Sequence, residues 1–255
     1  MASARPTVLV TGASRGIGLA VARLLTTKFG ANVVALSRSS NPDLEALKSS
    51  SLLHIQCDIT DEKAFNSAVS TAITTYGGID GLVLNAGTVD PMCRIGDDTP
   101  LSAWKEAFDI NFFSLVTAIK ATLPHLRKSP IHGKIIFVSS GAAVGGYPGW
   151  GPYNASKAAL NSLCRTMAGE EPEIISIALR PGMVDTGMQE AIRRTGATVL
   201  PKADHENFVR VHAEGNLVKP EDCGHVIAAL ALRAEPQLSG TFIAWNSEEC
   251  LPYRG

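Results

Sequence analysis

Short apolar runs alternate with amphipathic stretches along nearly the whole chain, and this rhythm restricts the fold more than any other feature of the 255 residues. Apolar runs at Thr7–Val10, Ala31–Leu36, Leu52–Gln56, Gly81–Leu84, Lys134–Val138, Ile174–Leu179 and Thr241–Trp245 predict strands. They are short and apolar throughout, as strands buried on both faces are. Between them, Ile17, Val21, Leu24, Leu25 and Phe29 recur at helical spacing. So do Phe65, Val69, Ala72 and Ile73 within Asp61–Tyr76, and Trp104, Phe108, Phe112, Leu115, Ile119 and Leu123 within Leu101–Leu126. A short helical piece is predicted at Leu44–Lys48, and longer ones at Tyr153–Ala168 and Pro220–Leu232. Alternating β and α elements imply a parallel sheet covered by helices on both faces, a single-domain doubly wound α/β (Rossmann) fold over 1–255. Met183–Val218 breaks the rhythm. It is polar and long for a connection, which predicts a substrate lid over 183–218.

Between the first strand and the first helix lies Thr11-Gly12-Ala13-Ser14-Arg15-Gly16-Ile17-Gly18. Glycines there permit a tight turn and close approach of the backbone to a pyrophosphate. The following helix offers its free N–H groups and the positive end of its dipole to phosphates. A dinucleotide also needs its adenosine ribose held near the end of the second strand, where a carboxylate would take the 2′-hydroxyl of NAD. This strand ends Ser37-Arg38 instead, and Arg15 can approach the same place. Two guanidiniums suit a 2′-phosphate, so the expected cofactor is NADP(H).

Tyr153-Asn154-Ala155-Ser156-Lys157 places a phenol and an ammonium on one helical face. A nearby cation favours phenolate, which brings tyrosine closer to useful acid–base range. Such a pair means little alone. Here Asn85-Ala86-Gly87, Val138-Ser139-Ser140 and Pro181-Gly182-Met183-Val184-Asp185-Thr186 all follow predicted strands, where doubly wound folds bind ligands. Asn111 lies on the long helix.

This ensemble resembles the short-chain dehydrogenase/reductase family over nearly the whole chain. The resemblance implies that Ser140 polarises a carbonyl, Tyr153 donates the proton as hydride arrives, Lys157 lowers the Tyr153 pKa and holds the nicotinamide ribose, and Asn111 positions a water. It implies further that Asp58 meets the adenine, Asn85 lies along the adenosine ribose and Thr186 sits near the carboxamide. Gly12, Ser14, Arg15, Gly16, Ile17, Gly18, Ser37, Arg38, Ile59, Ala86, Gly87, Pro181, Gly182, Val184 and Met188 complete the expected cofactor contacts. A homodimer or homotetramer is also implied.

A narrower resemblance, to sepiapterin reductases and the related benzil reductases, rests on Glu170-Glu171-Pro172, Asp185-Thr186-Gly187-Met188-Gln189, Phe112-Phe113-Ser114 and Gly240-Thr241-Phe242-Ile243-Ala244-Trp245. It implies reduction of a ketone or vicinal diketone beside an aromatic ring. Ser247 stands where a pterin-binding acid would be expected, which favours the benzil-type substrate over the pterin alternative. Val144, Tyr147, Trp150, Met183 and Gln189, with Ser140 and Tyr153, are the expected substrate contacts. Apolar and aromatic walls suit an aromatic ketone.

Composition narrows the alternatives. A formal net charge of −1 offers no general attraction to nucleic acid or anionic membranes. Five scattered cysteines without C-x-x-C, and six histidines without H-E-x-x-H, give no disulfide framework and no metal site. No signal-like segment or membrane-length apolar run occurs, so a cytoplasmic protein is expected. A non-catalytic NADP(H)-binding regulator is the rival from another class; it would be expected to lose Ser140, Tyr153 or Lys157. A methyltransferase would place an acid where Arg38 stands.

Overall fold

The computed structural model describes residues 5–255. Seven parallel strands form one sheet in the order β3-β2-β1-β4-β5-β6-β7. They are β1 (Thr7–Thr11), β2 (Asn32–Ser37), β3 (Leu52–Gln56), β4 (Gly81–Leu84), β5 (Lys134–Val138), β6 (Ile175–Arg180) and β7 (Phe242–Ala244). Strand pleating divides their apolar side chains between two cores. Val8, Val10, Val33 and Ala35 face α1 (Gly16–Thr27) and, on the same side, the helix Pro220–Arg233. Leu9, Val34, Leu36 and Leu82 face the layer built on Phe65, Leu115 and Leu160. Burial on both faces explains why the strands read as continuous apolar runs rather than as alternating ones.

Local signals set several boundaries. Asn41 caps the short α2 (Pro42–Glu45), its Oδ1 accepting from Leu44 N at 2.9 Å. That cap starts the helix before the expected Leu44. Helix α3 (Glu62–Tyr76) begins at Asp61, whose carboxylate accepts from Lys63 N and Ala64 N, and ends at left-handed Gly77.

Two expectations change. The helix expected over Leu101–Leu126 is α4 (Leu101–Phe108) and α5 (Ser114–Leu126), joined by a π-helical turn at Asp109–Phe113. The π turn adds a residue to the helical circuit, which a uniform three-and-four periodicity does not anticipate. The segment read as a long polar connection carries two helices, α7 (Gly187–Thr195) and α8 (Lys202–Ala213), after α6 (Gly151–Glu170) and before α9 (Pro220–Arg233). Their buried apolar residues are sparse: Ile192 on α7, Phe208 and Val211 on α8. Too few mark a helical face for sequence periodicity to show it.

Strand order reverses between β1 and β4, so a crevice opens at their C-terminal ends. α7 and α8 close one side of it. Ile192 and Phe208 join Val89, Ala142, Trp150 and Tyr153 in a third apolar cluster, with Met183 and Met188 packed alongside. Among the described residues, no helix is long and apolar enough to cross a membrane.

Candidate active site

The crevice is a cleft of about 1370 Å³ running along the strand ends. One end holds the glycine turn. Thr11 Oγ1 accepts from Asn85 N at 3.0 Å and from Ala86 N at 3.1 Å, while Asn85 Nδ2 donates to Thr11 O at 3.0 Å and Gly12 O at 3.2 Å. These bonds stitch the turn to the end of β4. Gly12 has φ +67°, and a Cβ there would stand 2.9 Å from Ala86 Cα. A Cβ at Gly18 would lie 2.2 Å from Gly12 O, so Gly18 lets α1 seat against the turn and is not itself a cleft residue. Arg15, the N-cap of α1, makes no side-chain cap bond, which leaves the helix's first N–H groups for a ligand. The tight glycine turn, these open donors and the nearby Arg15 and Arg38 fit a dinucleotide.

The other expected dinucleotide contacts fall into the same cleft. Ser14, Arg15, Gly16 and Ile17 line it, as do Ser37 and Arg38 at the end of β2 and Asp58 and Ile59 after β3. The Asp58 carboxylate is held below its ordinary pKa, chiefly by the Thr60 backbone N–H, with Arg38 adding to the effect. Asn85, Ala86 and Gly87 follow β4; Pro181, Gly182, Val184, Thr186 and Met188 follow β6. Asn41 also lines the cleft and donates from Nδ2 to Ser14 O. Sequence reading missed Asn41, and nothing in its local pattern marks it as more than a helix cap.

Near the middle, Ser140, Tyr153 and Lys157 converge from β5 and α6. Helix α6 starts at Gly151, which sets Tyr153 in the first turn, with Lys157 one turn below. Burial pushes the Tyr153 phenol above the ordinary value, and the Ser140 hydroxyl beside it pulls the other way. Burial pushes the Lys157 ammonium down to about 8. Lys157 Nζ donates to Val138 O at 2.8 Å and lies 5.8 Å from the Tyr153 ring centroid. Among the groups around the phenol, the one that acts downward on it is the Ser140 hydroxyl, while the Lys157 ammonium donates to the strand-end carbonyl beneath the Tyr153 ring.

Asn111 stands behind this group, 1% exposed, and does not line the cleft. Its Oδ1 accepts from Thr88 N at 2.8 Å, and its Nδ2 donates to Thr88 O at 2.8 Å and to Ser156 Oγ at 3.2 Å. Ser156 Oγ donates onward to Tyr153 O at 2.9 Å. The π turn aims Asn111 inward to make these bonds, joining the β4 exit loop to the first turn of α6.

The far end is aromatic and thioether-rich. Trp150 packs edge-on against Tyr153 at 5.7 Å and, tilted, against Phe208 at 5.5 Å. Tyr147, Met183 and Gln189 also line this end. Phe208 comes from α8, more than fifty residues from Trp150 in sequence, and only packing reveals it. Val144 is a correction. It follows the 3₁₀ turn Gly141–Ala143 and is 72% exposed, outside the cleft, because the chain has already turned outward there.

A family model described as short chain dehydrogenase matches residues 6–197. The chain is 42% identical over 249 residues to an uncharacterized oxidoreductase of Schizosaccharomyces pombe, covering 96% of this chain and 98% of that one. It is 36% identical over 260 residues to a benzil reductase ((S)-benzoin forming) of Saccharomyces cerevisiae, covering 97% and 98%. A crystal structure of a short chain dehydrogenase/reductase from Saccharomyces cerevisiae superposes with a TM-score of 0.93 at 33% identity, covering 98% of this chain and 100% of that one. With sequence and fold agreeing across almost every residue, the chain belongs to the short-chain dehydrogenase family, oxidoreductases that use a nicotinamide cofactor on small-molecule substrates.

Proposed function

We propose that this protein is an NADPH-dependent carbonyl reductase acting on a ketone or vicinal diketone beside an aromatic ring. The observation that carries the reading is the grouping of Ser140, Tyr153 and Lys157 in the middle of the cleft that also holds the glycine turn. A protonated phenol is the form a reduction needs. The Ser140 and Tyr153 hydroxyls would hold the carbonyl oxygen, and Tyr153 would give it a proton as the carbon is reduced. Lys157 and Asn111 would keep the Tyr153 turn in place, through Val138 O and Ser156. NADPH, when bound, supplies the hydride. Arg15 and Arg38 would receive its 2′-phosphate, the glycine turn and the α1 N-terminus its pyrophosphate.

Trp150, Phe208, Met183 and Met188 would receive an aromatic ring, and the benzil reductase relative supports that substrate class. Ala244, Trp245 and Asn246, at the end of β7, line the cleft on that side, and neither Glu248 nor Glu249 does. That favours the benzil-type substrate over a pterin. The 183–218 segment would act as a lid. Gln189 Oε1 and Arg193 Nη1 on α7, and Trp150 Nε1 in the same cleft wall, are buried without hydrogen-bond partners, and movement of α7 would let water or ligand satisfy them. A homodimer or homotetramer working in the cytoplasm completes the reading; Phe113 and Leu101, exposed on the α4–α5 face, would be covered in it.

The test is NADPH oxidation with benzil, with sepiapterin and with NADH as controls, repeated with Tyr153→Phe. Turnover with NADPH and benzil, reduced by about 100-fold or more in the variant, is expected. Undiminished turnover in Tyr153→Phe would overturn the assignment.

A further inference from the structure

Arg180 is the last residue of β6, and its backbone is clamped from both sides. It pairs with Ala244 of β7, and its carbonyl accepts from Trp245 N at 3.0 Å. On the other side, Ser139 N donates to the preceding Leu179 O at 2.8 Å, which places Arg180 beside the Ser139-Ser140-Gly141 exit from β5. The side chain reaches over Gly141. A Cβ built on that glycine would stand 3.5 Å from Arg180 Cδ, 3.9 Å from Arg180 Nη1 and 3.8 Å from Tyr147 Oη. A guanidinium and a phenolic hydroxyl therefore converge on the residue after Ser140.

Nothing in the described chain uses this cation. Arg180 belongs to none of the ion pairs among the described residues, and its guanidinium makes no hydrogen bond there. Asp90, Glu106 and Asp204 line the same cleft, yet none comes within 4 Å of it. Lys157, the other cation at this end, is already committed to Val138 O. A guanidinium fork with a neighbouring hydroxyl matches the geometry of a carboxylate. In open water such a pair is worth little. It strengthens once a substrate seated over Gly141 displaces the water between them.

We infer that Arg180 and Tyr147 form an anion subsite beside Ser140, so that the protein takes 2-oxo acids, ketones with a carboxylate next to the reacting carbonyl. The inference rests on Ser140 and Tyr153 holding the carbonyl. The ketone carbon gains a hydride as NADPH is oxidised to NADP⁺, its oxygen gains the Tyr153 proton, and the carboxylate passes through unchanged as a 2-hydroxy acid.

The experiment compares benzoylformate with its neutral methyl ester, which differ only at the carboxylate, and keeps benzil as a reference. In Arg180→Met the acid-to-ester ratio of kcat/KM falls by about 10- to 100-fold, and Arg180→Lys restores part of it. Tyr147→Phe moves the ratio the same way by less. Calorimetric binding of mandelate against methyl mandelate, the corresponding products, shows the same loss without turnover. An unchanged ratio in Arg180→Met, with ester and benzil still reduced, overturns the subsite and leaves the carbonyl reductase standing. Reduction of none of the three compounds overturns both.

Discussion

Lys157 should make the protein's stability depend on pH in a direction that a surface lysine would not. Its ammonium is buried, and burial moves its pKa from 10.5 to about 8. Below pH 8 folded and unfolded chains both carry the proton, and the folded state bears the cost of burying it, ~3 kcal/mol. Between pH 8 and 10.5 the unfolded chain still binds a proton that the folded chain has released, so stability rises with pH. Above 10.5 the cost is gone. The linkage relation puts the gain between pH 7 and pH 9.5 at about 2 kcal/mol. Lys157→Met removes the charge and keeps most of the apolar stem. It also leaves Val138 O without its donor, at a cost of ~1–3 kcal/mol, but that cost does not titrate. The quantity to measure is the stability of Lys157→Met minus that of the wild type, by urea unfolding at pH 7.0 and pH 9.5, without nucleotide and at one protein concentration. The difference should shrink by about 2 kcal/mol at the higher pH. A flat difference would refute the buried, depressed ammonium. A difference that grows with pH would mean that Lys157 is held charged by a phenolate at Tyr153.

Two further perturbations read the cofactor end. Arg38→Ala should raise the KM for NADPH by about 10-fold or more while leaving the KM for NADH near its starting value, since only the phosphate contact is lost; equal losses with both nucleotides would remove the 2′-phosphate from the argument. Gly18→Ala should destabilise the chain by about 3 kcal/mol or more, because its methyl would meet Gly12 O at 2.2 Å with backbone on both sides; a variant that melts with the wild type would show that the turn can yield.

The alternation of apolar runs carried the sheet and most of its helices, because strand burial and helical periodicity are both written within a few residues. The glycine turn was legible for the same reason, since each glycine answers a local need: positive φ at Gly12 and Gly16, close approach at Gly18. The four-residue step from Tyr153 to Lys157 put both on one helical face whatever the surrounding fold. Sequence therefore determined the fold class, the crevice and about half of the residues around it. Tertiary packing decided the rest. Asn111 turns inward because a π turn forms where the end of α4 packs across α6. Lys157 donates to Val138 O, a carbonyl at the end of β5 that only the packing of α6 against the sheet brings within reach. α7 and α8 owe their position to Ile192 and Phe208 meeting Trp150 and Tyr153, and Val144 is turned out to solvent by the 3₁₀ turn before it. Each of these depends on partners far away in sequence, and local patterning records which face of an element is apolar but not which surface it will meet.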